Sequence, residues 1–441
     1  WLNVSGRVRL DNSNNDYTEK AYASTNTQLT ELSDRGLYGI SRSYEKQLYA
    51  DFLVSVNKTF GEKWSLQANM GGSFTDMRYD EMAVRGPIAD DSKTFAGEKA
   101  GLTNGFYIQN LSTTKTSKMQ LGWREQTQSI YASAEVGYQS TYYLTLTGRN
   151  DWPSQLAGRN SVNKSFFPSV GMSVVLSELM PKLNKDYLSY WKIRGSFASV
   201  GTAFERYIAN PLFAWNTSIG QWSNLTDFPV YDLKPERTNS FEVGMNMRFL
   251  KNFELDVTYY NAKTMNQTFN PELPVGEYAR IYIQTGAVRN QGLELALNYN
   301  NTWKDFTWNT GVTYSMNKNK ILTLADNAIN PITREKFSIS SLNMGGLGST
   351  RFILKEGGSM GDIYSLMDLK RDANGAVYID ENNSVVTESL EANNYIKLGS
   401  VLPKGNLAWR NNFSWKNINV AFLVSARLGG VVFSRTQAVL D

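Results

Sequence analysis

The chain has 441 residues, a formal net charge of +4, 20% charged and 41% hydrophobic residues, and neither cysteine nor histidine. Without thiol or imidazole it has no disulfide, thiolate metal site, Ser-His-Asp triad or conventional zinc or haem ligand, which removes most hydrolytic chemistry. Charges are mixed along the chain, so a nucleic-acid partner has no support, and no run approaches the roughly 18 apolar residues of a spanning helix.

The start, Trp1-Leu2-Asn3-Val4, has neither the basic end nor the apolar core of a signal peptide. It reads as mid-strand, so the chain is expected to begin inside a longer protein. From there the dominant signal is alternation with period two. Leu2, Val4, Val8 and Leu10 alternate with Asn3, Ser5, Arg7 and Arg9. Leu48 to Val56 and Trp64 to Met70 repeat the pattern. Ile130, Ala132, Ala134 and Val136 oppose Tyr131, Ser133 and Glu135. Phe253, Leu255, Val257 and Tyr259 oppose Glu254, Asp256 and Thr258, and Ile418 to Val424 closes the series. Each segment is a strand with one oily and one wet face.

Connections alternate between short turns (Gly61–Lys63, Gln139–Thr141, Leu250–Asn252, Asn301–Lys304, Lys416–Asn417) and long polar segments (11–46, 76–120, 203–237, 262–288, 320–403). Over about thirteen strands, short turns at one rim and long loops at the other describe a transmembrane antiparallel up-and-down β-barrel. Aromatic residues flank the short turns: Phe60 and Trp64, Tyr138 and Tyr142, Phe249 and Phe253, Trp303 and Phe306, and Trp415. Rings at strand ends suit the girdle at the headgroup level. Lipid offers no hydrogen bonds, so the oily face is expected outward. The inner face then carries Glu135, Arg149, Glu242, Arg248, Glu254, Asp256 and Glu294, which requires a watery or plugged lumen.

Several segments resemble the SusC/RagA-type TonB-dependent transporters. The motifs are Ser165-Phe166-Phe167-Pro168-Ser169-Val170-Gly171, Trp191-Lys192-Ile193-Arg194-Gly195-Ser196-Phe197, and Leu233-Lys234-Pro235-Glu236-Arg237-Thr238-Asn239-Ser240-Phe241-Glu242-Val243-Gly244. Asp256 to Asn261, Arg289-Asn290-Gln291-Gly292-Leu293-Glu294-Leu295 and Gly429 to Ser434 follow in order, so the resemblance spans essentially the whole chain. It implies an all-β fold in which residues 1–441 are part of one barrel domain of about 22 strands. The plug and TonB box would lie upstream and the last strands downstream. It also implies import of oligosaccharides or peptides, a SusD-like surface lipoprotein as lid, and energy from the TonB-ExbB-ExbD complex through the missing N-terminal region. The bilayer with its lipopolysaccharide is the surrounding partner, no cofactor is implied, and a dimer of transporter–lid pairs stays open.

Loop aromatics Trp152, Trp215, Trp222 and Tyr231 are candidates for stacking on sugars or peptides, against simple packing of loops or lid. Asp372, Asn374 and Asp380 hint at a calcium loop, but Val377-Tyr378 stands where a further acidic ligand belongs. Asn374-Gly375 reads more simply as a type I′ hairpin turn. Other readings are a siderophore or vitamin receptor, or a barrel that only anchors an adhesin or assembly scaffold. A plug upstream would separate transport from anchorage.

Overall fold

A strand that is oily on one face and polar on the other must find its backbone partners in neighbouring strands. In the computed structural model thirteen such strands form one antiparallel sheet, each paired with the next in the sequence. The structure describes residues 1–441 except 91–98, 157–164, 203–205, 209–212, 214, 217–220, 224–226, 229–233, 271–279, 331–332, 435 and 438–441. The strands are β1 (Leu2–Ala21), β2 (Leu37–Phe60), β3 (Trp64–Pro87), β4 (Ser117–Tyr138) and β5 (Tyr142–Pro153). Next come β6 (Phe166–Val175), β7 (Leu188–Thr202), β8 (Glu236–Phe249) and β9 (Phe253–Phe269). The last four are β10 (Ile283–Trp303), β11 (Phe306–Thr323), β12 (Gly405–Trp415) and β13 (Ile418–Leu428).

Five short turns fall where expected and carry strained backbone, whereas the β6–β7 connection is a twelve-residue link, 176–187. Gln139 and Ser140 both sit at φ 52°, Leu250 at 49° and Lys251 at 64°. Left-handed conformation at residues other than glycine costs roughly 1 kcal/mol each, which the flanking ladders offset. The long connections contain less loop than the sequence suggests. β1 runs on to Ala21, β3 to Pro87 and β9 to Phe269, well into segments expected to be irregular. Beyond the bilayer, water can satisfy side chains on both faces. Alternation therefore disappears while the hydrogen-bond ladder continues.

Register assigns the faces, because directly opposed residues point the same way. Val54, Met70 and Ala132 form one oily row; Val8, Met70 and Met172 are 77%, 63% and 64% exposed. An apolar surface of this extent needs a lipid cover. At the short-turn rim the rings form a continuous contact chain. Phe253 lies 5.4 Å from Phe249 and 4.8 Å from Tyr299, Tyr299 lies 6.4 Å from Trp303, and Trp303 lies 6.0 Å from Phe306. Among the described residues no helix is long and apolar enough to cross a membrane.

The buried apolar core lies elsewhere. The connection between β11 and β12 folds into a small four-stranded sheet of its own, Ser341–Asn343, Thr350–Lys355, Asp362–Ser365 and Ile396–Ser400. Leu354 of this sheet, with Leu324, Ala325 and Ala328 from earlier in the same connection, buries against Phe269, Val288 and Ile321 at the ends of β9, β10 and β11. Backbone bonds tie it down: Ile321 donates to the Gly358 carbonyl (2.8 Å) and Gly357 to that of Ile321 (2.9 Å). The Asn319 Oδ1 accepts from the Met360 amide at 2.7 Å.

Candidate functional site

The polar face is the candidate site, and its charges are arranged in small, bonded groups. Glu242, Arg248, Glu254, Asp256 and Glu294 share one face through the registers Arg248–Glu254, Asn246–Asp256, Glu242–Tyr260 and Thr258–Glu294. Glu135 and Arg149 share a face through Glu135–Thr145 and Tyr131–Arg149. The ladders through β5, β6, β7 and β8 show that it is the same one. The Thr145 hydroxyl donates to Glu135 at 2.9 Å. The Arg149 Nε donates to Asp151 at 2.7 Å and its Nη2 to Ser129 at 2.8 Å. Arg248 meets Glu254 at 3.4 Å and lies over the Tyr190 ring, 5.7 Å from its centre.

Two residues that sequence reasoning passed over organise this face. Arg194 of β7 donates from Nη2 to Asp256 at 3.0 Å and to Thr258 at 2.5 Å, and its Nη1 bonds the Asn246 amide oxygen. Arg194 stood in a family-like motif but in no clear alternating run, so only the register brings it to Asp256. Beside this cluster is a concavity of about 560 Å³ lined by Arg194, Asp256, Glu294, Thr313, Asn406 and Arg427. Toward β1 the same face holds Arg7, whose guanidinium binds Asp51 at 3.0 Å, with the Asp51 side chain fully covered. A fully desolvated carboxylate requires such a partner.

The four loop aromatics fare differently. β5 extends to Pro153, so Trp152 is a strand residue and not a loop residue. Its partner Gln128 lies opposite Phe74, and Trp152 shares an oily groove with Phe52, Phe74 and Ile130. It therefore stands on the face opposite the charges. The motif Asn150-Asp151-Trp152-Pro153 looked like loop because Asp and Pro break strand patterns, yet Pro153 takes the strand's last position. Trp215 and Trp222 are backbone partners in a two-residue ladder within the β7–β8 connection, and Trp222 is exposed. Tyr231 lies outside the described residues.

A second aromatic group was missed altogether. Trp123, in a segment continuous with the long loop, stacks on Tyr79 at 5.8 Å, and the Arg206 guanidinium sits 3.8 Å above its ring. Arg206 is also paired with Glu125 at 2.8 Å. Tyr79, Trp123 and Glu125 are in register positions of the charged face, so the β7–β8 connection folds over that face. The signal available was the Tyr79–Trp123 spacing across the β3–β4 loop, visible only once the register is known.

The acidic loop is a turn device. Asp372 Oδ1 accepts from the amides of Asn374 (2.8 Å) and Ala376 (2.9 Å), and Asp380 Oδ1 accepts from those of Asn382 (2.9 Å) and Ser384 (2.8 Å). These carboxylates cap tight turns. Gly375 has φ 84° while Asn374 keeps negative φ, so the turn is a three-residue hairpin with a glycine bulge and not the type I′ turn expected. Among the described residues no group of three or more acidic side chains could hold a metal ion. Nearby, Asp362 is buried and accepts from Lys397 Nζ at 2.5 Å and from the Ser359 amide at 2.9 Å. Burial, with the Asp362 charge adding to it, pushes the neighbouring Tyr364 phenol above its ordinary pKa.

A family model described as "TonB dependent receptor-like, beta-barrel" matches residues 1–422. The chain belongs to this family. It is accordingly an outer-membrane β-barrel protein. Among its relatives are TonB-dependent receptor P3 of Formosa agariphila, 24% identical over 78% of this chain and 36% of that protein, and P26 of the same organism, 26% identical over 86% and 39%. The RagAB peptide importer shares its fold in the closed-closed state (TM-score 0.71, 17% identity, 97% of this chain and 46% of that one) and in the open-open state (0.70, 18%, 97% and 45%). The chain spans less than half the length of these relatives.

Proposed function

We propose that the full-length protein is a TonB-energised outer-membrane importer of oligosaccharides or peptides, and that residues 1–441 form most of one side of its barrel. The observation that carries this reading is the segregation of faces: all seven charges named from the sequence lie opposite the exposed apolar rows. Such a wall suits a water-filled lumen through which a polar solute passes when a plug moves. Plug, TonB box and remaining strands are assigned to the rest of the protein. The resemblance to the SusC/RagA type supports a SusD-like surface lipoprotein as lid, and the likeness to a peptide importer supports peptides as solutes beside oligosaccharides. Binding and gating, with no catalytic step, are the mechanism. The loops hold the ligand and the strands hold the loops. Trp222 and the Tyr79–Trp123–Arg206 stack are the assigned contact residues.

The test is uptake in the native host. Deleting the full-length gene should abolish accumulation of a labelled peptide or oligosaccharide from the set the host grows on, and deleting TonB should abolish it equally. Unchanged uptake in the gene deletion, or uptake that persists without TonB, would overturn the reading.

A further inference from the structure

On the oily face, β9, β10 and β11 end their apolar rows in cations at the same height. Lys263 stands ten residues beyond the girdle ring Phe253, Arg289 ten from Tyr299, and Lys318 ten from Trp308. Ten residues measure about 33 Å along a strand. At barrel tilt that is about 25 Å along the membrane normal, the height of the apolar band. These cations thus lie at the outer-leaflet headgroups. The registers set Lys263 opposite Arg289 and Arg289 opposite Lys320, three like charges abreast. Directly opposed like charges are destabilising in a sheet.

Among the described residues no carboxylate pairs with Lys263, Arg289, Lys318 or Lys320, and the Arg289 Nε is enclosed without an acceptor. The contrast lies at β2 to β4. There Lys46, Arg78 and Arg124 are also abreast, but Arg78 is paired with Asp80 at 2.7 Å and Arg124 with Asp76 at 2.5 Å. Among the described residues no ion pair compensates the β9–β11 row, which lies at a height where lipid phosphates lie.

We propose that Lys263, Arg289, Lys318 and Lys320 form an outward-facing binding site for the phosphorylated headgroup of an outer-leaflet glycolipid. Arginine and lysine suit phosphate as bidentate and point-charge partners respectively. The apolar rows beneath them, Tyr259, Leu293 and Met316, receive the acyl chains.

The test uses full-length protein extracted from outer membranes, stripped of lipid, and titrated in neutral detergent by native mass spectrometry. Bisphosphorylated lipid A should bind at least tenfold more tightly than the same lipid dephosphorylated, and millimolar inorganic phosphate should not displace it. The variant K263Q/R289Q/K320Q should lose that preference, whereas K251Q/K304Q/K416Q at the opposite rim should keep it. Equal binding of the two lipids by wild type overturns the site, and that comparison needs no variant to fold. Preference surviving in the first variant, or displacement by free phosphate, overturns it as well. Because the site rests on the outer-membrane placement, flotation with outer membranes is checked separately. Failure there would sink the placement, while lost phosphate preference alone sinks only this site.

Discussion

Arg194 reaches across an entire strand to Asp256, with Gly244 of β8 lying beneath its guanidinium. A Cβ at Gly244 would meet the Arg194 Cζ at 2.7 Å, so a glycine there keeps the path open for the 3.0 Å ion pair. Both side chains are more than a third exposed, and an ion pair in water contributes about 1 kcal/mol or less. Gly244→Ala should therefore displace the guanidinium at little cost to stability. Solute uptake should fall more than the thermal midpoint in detergent. A midpoint drop as large as that of a core deletion would contradict this.

Arg7 and Asp51 are the opposite case, since the Asp51 side chain is fully covered. Removing the cation alone strands a desolvated carboxylate. Arg7→Met should lower the melting temperature of the full-length protein more than the double change Arg7→Met with Asp51→Asn. Differential scanning calorimetry of the two variants decides the order.

Tyr299 is the hub of the girdle, touching Phe253 (4.8 Å), Trp308 (5.3 Å) and Trp303 (6.4 Å). Tyr299→Ala should cost on the order of 1–3 kcal/mol, less than a fully buried aromatic would. Tyr299→Phe should cost little. Refolding into vesicles under denaturant measures both.

Lys397 pairs with Oδ2 of the buried Asp362 in the small sheet between β11 and β12. Lys397→Met should expose this connection to limited proteolysis, with cleavage within residues 324–404, while the thirteen-stranded sheet stays resistant. Asp362→Asn in the same background should restore protection. Equal resistance of wild type and Lys397→Met would show that the pair does not hold the loop.

The chain has no cysteine, which allows a direct test of the faces. A cysteine at Glu135→Cys should react with a membrane-impermeant maleimide, and one at Trp152→Cys should react only with a lipid-soluble reagent. Trp152→Ala should accordingly leave solute affinity unchanged, whereas Trp123→Ala should weaken it.

Alternation determined the strand class and the two faces of this protein, and the lengths of the connections with the flanking rings determined its two rims. Lipid can only wet the oily rows that Leu66, Val136 and Val257 represent, and every such position is written locally. The short turns were legible from the spacing of the strands, even at Gln139-Ser140, where no glycine or asparagine marks the turn. What only the tertiary structure decided lies where water reaches both sides of a strand or where partners come from distant strands. The extension of β3 to Pro87 left no periodic trace, and Trp152 passed for loop because Asp151 and Pro153 flank it. The pairing of Arg194 with Asp256, of Trp123 with Arg206, and the row of Lys263, Arg289 and Lys320 depend on register. Register is set by how strands across dozens of residues align, and no local window of sequence contains it.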